Sequence, residues 1–596
     1  MNEWRSQYGT GILVLAMLLT FISAGFTPLA LAEPATKDVY KEQSLYEQQP
    51  NLPPRIIPIY FVKGTNRQMG YQLGYQTASE IQVSKNKRWL FVMNRCDWDY
   101  DEVIRHLKGF QYYIEKFTPE IIEDMIGMAQ GCTDAGYPTC YLDILVINVG
   151  PWVMFGKSPT AKYPSPISGL PPEKYGYEPP EGYTPGPRRE LLKSPSVKAK
   201  PASETIEGCS RWAAWGRATK DGEMICGNSF DGGLQSQFNY IAFPDKGYPF
   251  VCSSTYFGEV YRHPGMNSRG LWNSGGMLQH PRDIDKDYGL VPVFGLRHLI
   301  QFYDDVDKAK DVIIDKWKFT GGRVHNWIVA GPDANGGKTG YIFELTGALN
   351  TYRKAGDFGE TDWIAAANTF IIPQNLKLIP GLDPFKMDTR IIMEWYFFTR
   401  YLGDVDMEFA KMLYRWYDPT GKFRGIGHTR NTSVHLVKPS RGLYMSCCGT
   451  AGREVTSGGA HHNLDTWYSF YSVRLKDSPA AVVSGARDSA GAATSRADTA
   501  MRKLKLNFET LASYLALKDL FFKATDEIYK GHNYSTKARL AVGNESLFLL
   551  SKALTKYTRG ETMMNAICNL ISPPPAFPED LGLEPADTPP LVCPIR

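Results

Sequence analysis

The stretch ETIEGCSRWAAWGRATKDGEMICGNSFDGG, Glu204 to Gly233, decides how the rest of the chain is read. The runs CSRWAAWGRAT and MICGNSFD are β-type segments separated by a turn around Asp221-Gly222, the pattern of a β-hairpin. Immediately before the hairpin stands the step Gly208-Cys209-Ser210. Upstream of that step, Lys157 to Glu207 is dense in Pro, Gly, Ser and Lys. Such a composition cannot offset its ordering entropy with core contacts and predicts a linker. A Gly-Cys step between a linker and a hairpin suits a cut between Gly208 and Cys209. Cys209 would then carry a thiol and a free α-amine on one residue, with ordinary pKa values of roughly 8.5 and roughly 8, so the nucleophile brings its own base. The same thiol can make the cut by attacking the Gly208 carbonyl, which no side chain shields, and water can open the resulting thioester. The competing reading is a plain strand cysteine, since cysteine is among the most buried residue types.

Working outward, the N-terminus MNEWRSQYGTGILVLAMLLTFISAGFTPLALAEPA has a short polar start with Arg5 and an apolar run from Ile12 to Ile22. Ala30-Leu31-Ala32 then forms a small-x-small site. This is the pattern of a secretory signal, and residues 1–32 are expected to be removed after Ala32, leaving a secreted or periplasmic protein. The apolar run is shorter than the roughly 20 residues a bilayer requires, and no later segment is long and apolar enough to span one. Residues 33–156 open with a polar leader and are mostly helical from Ile56. In PEIIEDMIGMAQGC, Pro119 sits at a helix entry and Ile121, Ile122, Met125 and Ile126 recur at helical spacing, predicting one buried face. Residues 157–208 are the linker. Residues 209–480 form the strand-rich core, in which HNWIVAG, TGYIFELT, WIAAANTFII and TSVHLVKP read as further strands and Val293 to Trp317 as helical. Residues 481–596 are a helical extension, clearest from about Thr494 to Leu570, with a proline-rich tail.

Composition limits the chemistry. With 596 residues, 43% of them hydrophobic, and a prior of roughly 150 residues per domain, the chain can bury a full core. A net charge of +4 with interleaved acids and bases excludes the basic stripe that nucleic acid needs. Ten cysteines in an exported chain are compatible with disulfides, Cys132/Cys140 and Cys568/Cys593 being the nearest pairings in sequence. GPDANGGKTG (Gly331–Gly340) approximates a phosphate-binding loop but has one residue too many and lies between two strands, so it reads as a hairpin turn. HHNLD, with His461, His462 and Asp465, lacks the ligand spacing of a metal site. Gly-x-Ser-x-Gly and His-Glu-x-x-His are both missing, and with them the usual serine-hydrolase and zinc-protease signals.

The hairpin GCS...DGEMICGNSFD resembles the opening of the acyl-coenzyme A:6-aminopenicillanic acid acyltransferase-like family of N-terminal nucleophile hydrolases, relatives of choloylglycine hydrolases and phospholipase B-like proteins. The blocks RQMGYQLGYQTASEI and IGMAQGCTDAGYPTCYLDILVINVG upstream are similar to the family's propeptide side. GMNSRGLWNSGG, NWIVAGPDANGGKTGYIFELT, IAAANTFIIP and GHTRNTSVHLVKPSRGLYMSCCG follow in the family's order. The resemblance covers roughly residues 56 to 475 and leaves out the C-terminal helices. It implies an α+β fold, the four-layer αββα sandwich, and an autoproteolytic zymogen whose two cleaved chains stay associated. The implied substrate is an acyl amide or thioester, hydrolysed or passed to an amine acceptor, with no metal and no organic cofactor.

By the same resemblance Cys209 is the nucleophile, and Asp231 hydrogen-bonds the new α-amine; its competing reading is a turn Asp before Gly232-Gly233. Asn368 supplies the oxyanion-hole amide, against a purely structural hydrogen bond. Asn228 falls where relatives carry Arg or Gln, and Ser229 where they carry Asn, which alters the substrate contacts expected. Arg430 resembles a family arginine near the active-site strands, against a solvated loop Arg. Asn273 is the nearest candidate for a second family Asn, with Met277 the alternative occupant. Two other functions are carried beside this one: lipid deacylation, as in the phospholipase B-like relatives, and a secreted non-catalytic protein that keeps the fold.

Overall fold

The structure is a computed structural model. It describes residues 56–96, 98–155, 209–231, 237–262, 264–277, 288–320, 325–347, 349–378, 388–416, 426, 431–448, 470–504 and 511–572. The signal segment, the linker with Gly208, Arg430, Cys593 and the HHNLD loop lie outside them. The fold is mixed α/β with two sheets.

Strand β1 (Ile59–Gly64) leads into five helices, α1 (Asn66–Gln76), α2 (Ala78–Cys96), α3 (Tyr100–Phe117), α4 (Pro119–Asp134) and α5 (Tyr141–Phe155). After the linker come β2 (Arg211–Gly216), β3 (Gly222–Asp231), β4 (Phe238–Pro244), β5 (Phe250–Ser254), β6 (Gly265–Asn267) and β7 (Trp272–Met277). Helices α6 (Pro292–Phe302) and α7 (Val306–Asp315) precede β8 (His325–Pro332), β9 (Lys338–Leu345), β10 (Asn350–Lys354) and β11 (Trp363–Ala366). The short α8 (Pro373–Leu376), then α9 (Arg390–Arg400) and α10 (Met407–Arg415), lead to β12 (Asn431–Lys438), β13 (Leu443–Cys448) and β14 (Tyr471–Arg474). Helices α11 (Pro479–Lys503), α12 (Leu511–Leu540) and α13 (Gly543–Ile571) close the described chain. None of the described helices is long and apolar enough to cross a membrane.

One sheet has eight strands in the order β1-β4-β5-β6-β7-β8-β9-β10 and the other six in the order β11-β2-β3-β12-β13-β14. The period-2 alternation of the hairpin sorts its side chains between two cores. Ala213, Trp215, Met224 and Cys226 face Ile241, Val251, Ile328 and Ile342 of the eight-stranded sheet. Trp212, Ala214 and Ile225 face Phe397 and Phe398 of α9 and Phe409 of α10. The far side of the eight-stranded sheet, with Tyr240, Phe250, Cys252 and Phe343, is covered by the helices before the linker and by α6 and α7.

The N-terminal region is not purely helical. Ile59 to Gly64 pairs in parallel with Asn239 to Pro244, so a strand from before the linker becomes part of a sheet built after it. Helix α13 covers the other edge of β1: the Phe61 N–H donates to Ser551 Oγ at 2.9 Å and Thr555 Oγ1 donates to the Ile59 carbonyl at 3.2 Å. An edge strand is thereby shielded from pairing with other chains. Helix α4 has the buried face its spacing predicts, but a wide one, leaving only a narrow exposed stripe of Pro119, Glu123, Gln130 and Asp134. The cause is glycine. Gly70 and Gly74 of α1 meet Gly127 and Gly131 of α4 so closely that a Cβ at Gly127 would lie 2.0 Å from the Arg67 carbonyl oxygen, and one at Gly74 2.1 Å from that of Met128. Small residues four apart let two backbones touch, and any side chain must push them apart. The Gly331–Gly340 segment is a β8–β9 hairpin as expected, its turn fixed by Asp333 Oδ1 accepting from the N–H groups of Asn335 and Gly337. Cys132 and Cys140 are not bridged: the Cys132 thiol donates to the Gly74 carbonyl at 3.5 Å.

Gly127→Ala is expected to cost about 1–3 kcal/mol through overpacking. Gly485→Ala, in α11 where no atom lies within 4 Å of the added Cβ, should gain roughly 0.5–1 kcal/mol. Urea unfolding of the two variants beside wild type checks the contrast.

Candidate active site

Four strand ends meet at one end of the six-stranded sheet. β2 and β3 are antiparallel with Arg211 opposite Asn228, so the residues just before β2 and the last residues of β3 share that end. β11 runs antiparallel to β2 with Ala366 opposite Arg211, which delivers Ala367 and Asn368 to the same place. β12 starts there, with Asn431 opposite Asp231. Topology therefore assembles Cys209, Asp231, Asn368 and Asn431, all buried. The run WIAAANTFII leaves the sheet after Ala366, which frees Asn368 to point its side chain at Cys209.

The geometry centres on Arg390, at the start of α9. Its guanidinium donates from Nη1 to Asp231 Oδ2 at 2.8 Å and from Nη2 to Asn368 Oδ1 at 2.5 Å. It grips Asp388 with Nε on Oδ1 at 2.8 Å and Nη2 on Oδ2 at 2.5 Å. Asn431 Nδ2 donates to the other Asp231 oxygen. The Asp388 carboxylate also accepts from the Asn368 backbone N–H at 3.0 Å. A guanidinium can only donate, so it fixes which end of the Asn368 amide faces it: the oxygen. That oxygen also accepts the backbone N–H of Cys209 at 2.5 Å. The nitrogen that would become the α-amine is thus held by Asn368, while the Asp231 backbone N–H hydrogen-bonds the Cys209 sulfur.

Arg211 forms the floor. It donates to the carbonyls of Cys209 at 3.1 Å and Ala367 at 2.8 Å, and it lies so close to β7 that a Cβ at Gly276 would fall 1.9 Å from Nη1. Burial lowers the Arg211 pKa to about 10. For Arg390, burial opposes the charge, but Asp388 and Asp231 outweigh it and raise the pKa. Burial pushes the Cys209 thiol up to about 12, the Asp231 carboxylate adding to it and Arg211 and Arg390 opposing. In the continuous chain at neutral pH the sulfur is therefore a protonated thiol that needs a base. Glu394, one turn along α9, is raised to about 8 by burial against the pull of Arg390, and among the described residues neither of its oxygens has a hydrogen-bond partner. It is neutral at pH 7, so two guanidinium groups face two carboxylates.

Of the residues expected from sequence, Cys209, Asp231 and Asn368 come together. The Asn228 amide donates to the carbonyls of Ser229 at 3.0 Å and Ser210 at 3.4 Å, fastening the hairpin beside the site. Asn273 lies on β7 with its amide donating to the Leu296 carbonyl at 2.8 Å and its oxygen accepting the Tyr261 hydroxyl at 2.5 Å, so it supports α6 instead of facing Cys209. Arg430 and the Met277 side chain lie outside the described residues. Sequence reasoning missed Arg211, Asp388, Arg390, Glu394 and Asn431. The available signals were an arginine two residues past the Gly-Cys step and Asp388-x-Arg390 with Glu394 four residues on, three charges opening an otherwise apolar helix.

No family model matches the chain. A protein of Archaeoglobus fulgidus, described only as uncharacterized, is 24% identical over 440 residues, which covers 68% of this chain. The chain spans 65% of that protein's length.

Arg390→Met should destabilise by about 3–5 kcal/mol, because it removes the hydrogen-bonded partner of two buried carboxylates and leaves only Arg211 nearby to oppose their charge. Glu394 is protonated in the folded protein between its ordinary value of 4.5 and about 8. The unfolded chain binds fewer protons over that window, so stability falls as pH rises through it. Glu394→Gln is expected to flatten that slope in denaturation midpoints measured from pH 5 to 8.5.

Proposed function

We propose that this protein is an exported, autoproteolytic hydrolase or acyltransferase of the N-terminal cysteine nucleophile type. The reading is supported above all by the convergence of Cys209, Asn368 and Asp231 on one end of a sheet, with the Cys209 backbone nitrogen, not only its sulfur, as a held group. The Cys209 nitrogen, buried as any strand N–H can be, has the Asn368 amide oxygen as its acceptor at 2.5 Å, a position from which the same side chain can hold the amine that a cut would create. The order in which the cores pack, helices on one sheet, that sheet on the second, and further helices beyond, supports a four-layer αββα sandwich.

In the first reaction the Cys209 sulfur attacks the Gly208 carbonyl carbon, the C–N bond breaks, and the nitrogen takes up the proton the thiol gives. One water then opens the thioester, releasing a Gly208 carboxylate and restoring the thiol. A peptide nitrogen carries one hydrogen and satisfies one acceptor, here Asn368. A free amine carries more, so a second acceptor such as the Asp231 carboxylate becomes useful only after the cut. In the second reaction the α-amine takes the thiol proton, and the thiolate attacks an acyl amide or thioester. The amine returns the proton to the leaving group, and water or an amine acceptor releases the acyl chain. In this scheme the Asn368 amide nitrogen meets the developing oxyanion.

Intact mass and N-terminal sequencing of the exported protein test this directly. Wild type should give two fragments, one beginning Cys-Ser-Arg-Trp, and Cys209→Ala a single uncut chain. An uncut wild-type chain would favour a non-catalytic protein with this fold. Asn368→Ala should slow cleavage by about 10²- to 10³-fold, read from the time course of fragment appearance.

A further inference from the structure

Beside Cys209 lies a cavity of about 20 Å³, room for about one water. Its walls include Trp152, Phe230, Val293, Leu296, Trp327 and Arg262. A substrate reaching the Cys209 sulfur through it has to displace part of this lining, so the chemistry of the lining selects the substrate.

Among the described residues the charge around that lining is not balanced. Arg262 and Arg88, with side chains 7% and 9% exposed, both point at Glu259 Oε1, at 3.8 and 3.9 Å. These are ion-pair distances too long for hydrogen bonds. The other oxygen of Glu259 is occupied by the Thr255 N–H, the Thr255 hydroxyl and the Tyr256 N–H at 2.9 to 3.1 Å. Two buried guanidinium groups therefore share one carboxylate, and among the described residues neither has a hydrogen-bond acceptor; Arg88 Nη2 is fully buried without one. Each lies over an aromatic ring, Arg262 over Trp152 at 5.4 Å and Arg88 over Tyr256 at 4.5 Å, which holds the cation without neutralising it. His325, also in the lining, has its Nε2 at 3.2 Å from the Trp152 indole Nε1, which donates to it. A buried cation with unfilled donors is costly unless something anionic completes it.

We infer that Arg262 is a specificity-determining residue, and that the amide or thioester acted on by Cys209 carries a carboxylate on the part that enters this cavity. Arg262 forms the charged contact, the Trp152 and Trp327 rings flank the attached apolar chain, and Arg88 reinforces the field from behind Glu259. This rests on Cys209 being the nucleophile of the proposed function. It adds that a neutral acyl amide of the same shape is a poor substrate.

The test needs no knowledge of the natural substrate. Iodoacetate and iodoacetamide alkylate a cysteine by the same displacement, the thiolate forming an S–C bond and expelling iodide, and they differ in one negative charge. The ratio of their rates at Cys209, followed by peptide mass and divided by the ratio for free cysteine in the same buffer, cancels the thiolate fraction. For the cleaved wild-type protein that ratio should exceed one. It should fall about tenfold in Arg262→Gln, the loss expected for one charge-assisted hydrogen bond, recover partly in Arg262→Lys, and rise in Glu259→Gln. Because the charge is buried, 0.5 M KCl should leave the wild-type ratio largely unchanged. Equal ratios in wild type and Arg262→Gln, a wild-type ratio abolished by salt, or a cleaved protein in which neither reagent reaches Cys209 would each overturn the assignment. A wild-type chain that stays uncut is a separate result, which removes the proposed function itself.

Discussion

A guanidinium sealed away from water must find acceptors for its nitrogens, and Arg390 finds them on three residues that the chain delivers from different places. Asp388 comes from its own helix entry, Asp231 from the end of β3, and Asn368 from the turn after β11. Because the cation only donates, it dictates what these partners present to it: carboxylate oxygens from the two acids and the carbonyl end of the Asn368 amide. That orientation in turn places an acceptor on the Cys209 nitrogen. The geometry around the cysteine is thus set by a cation that reaches it through Asn368, and burial raises the Glu394 carboxyl to about 8, which favours its uncharged form beside the two aspartates.

The two halves of the chain on either side of the linker are interlocked. β1, from before it, forms a six-residue parallel ladder with β4, from after it. The outer edge of β1 is then bonded by Ser551 and Thr555 of α13, at the far end of the sequence. The helices that follow β1 cover the eight-stranded sheet, so their removal would expose a full apolar face. Cutting the proposed Gly208–Cys209 bond would leave all of these contacts in place, and the pieces would stay together through the same burial that holds any core. The C-terminal helices acquire a role here: they close the β1 edge and the adjoining end of the core between the sheets.

Two buried arginine arrangements near Cys209 have opposite balance. Around Arg390 and Arg211 two guanidinium groups stand among two carboxylates, and every Arg390 nitrogen has an acceptor at hydrogen-bond distance, which suits a rigid frame. Around Arg262 and Arg88 one carboxylate serves two cations at long range, which suits a place where a ligand supplies the missing charge.

The hairpin Arg211–Asp231, the helix beginning at Pro119 and the Gly331–Gly340 turn were legible in sequence because each is determined by residues within a few positions: apolar periodicity, a proline entry, a glycine turn. The position of Asp231 at the end of a strand paired with the one that follows Cys209 was legible for the same reason. The strand character of Ile59–Gly64 was not, since a short segment of four apolar residues followed by Lys63 and Gly64, just before a helical region, is assigned by its partner, which is nearly two hundred residues away. Nor was the packing of α4, where glycine spacing marks a close backbone contact only once the second helix is known. Arg390 and Asp231 are 159 residues apart, and Asn431 and Asp231 are 200. Sequence by itself determined which segments could be strands and helices and which cysteine had a chemically unusual neighbour, because propensity and periodicity are local. Only the tertiary structure decided which strand ends meet, and with them the partners of Cys209, because buried charges are satisfied across space and leave no fixed spacing along the chain.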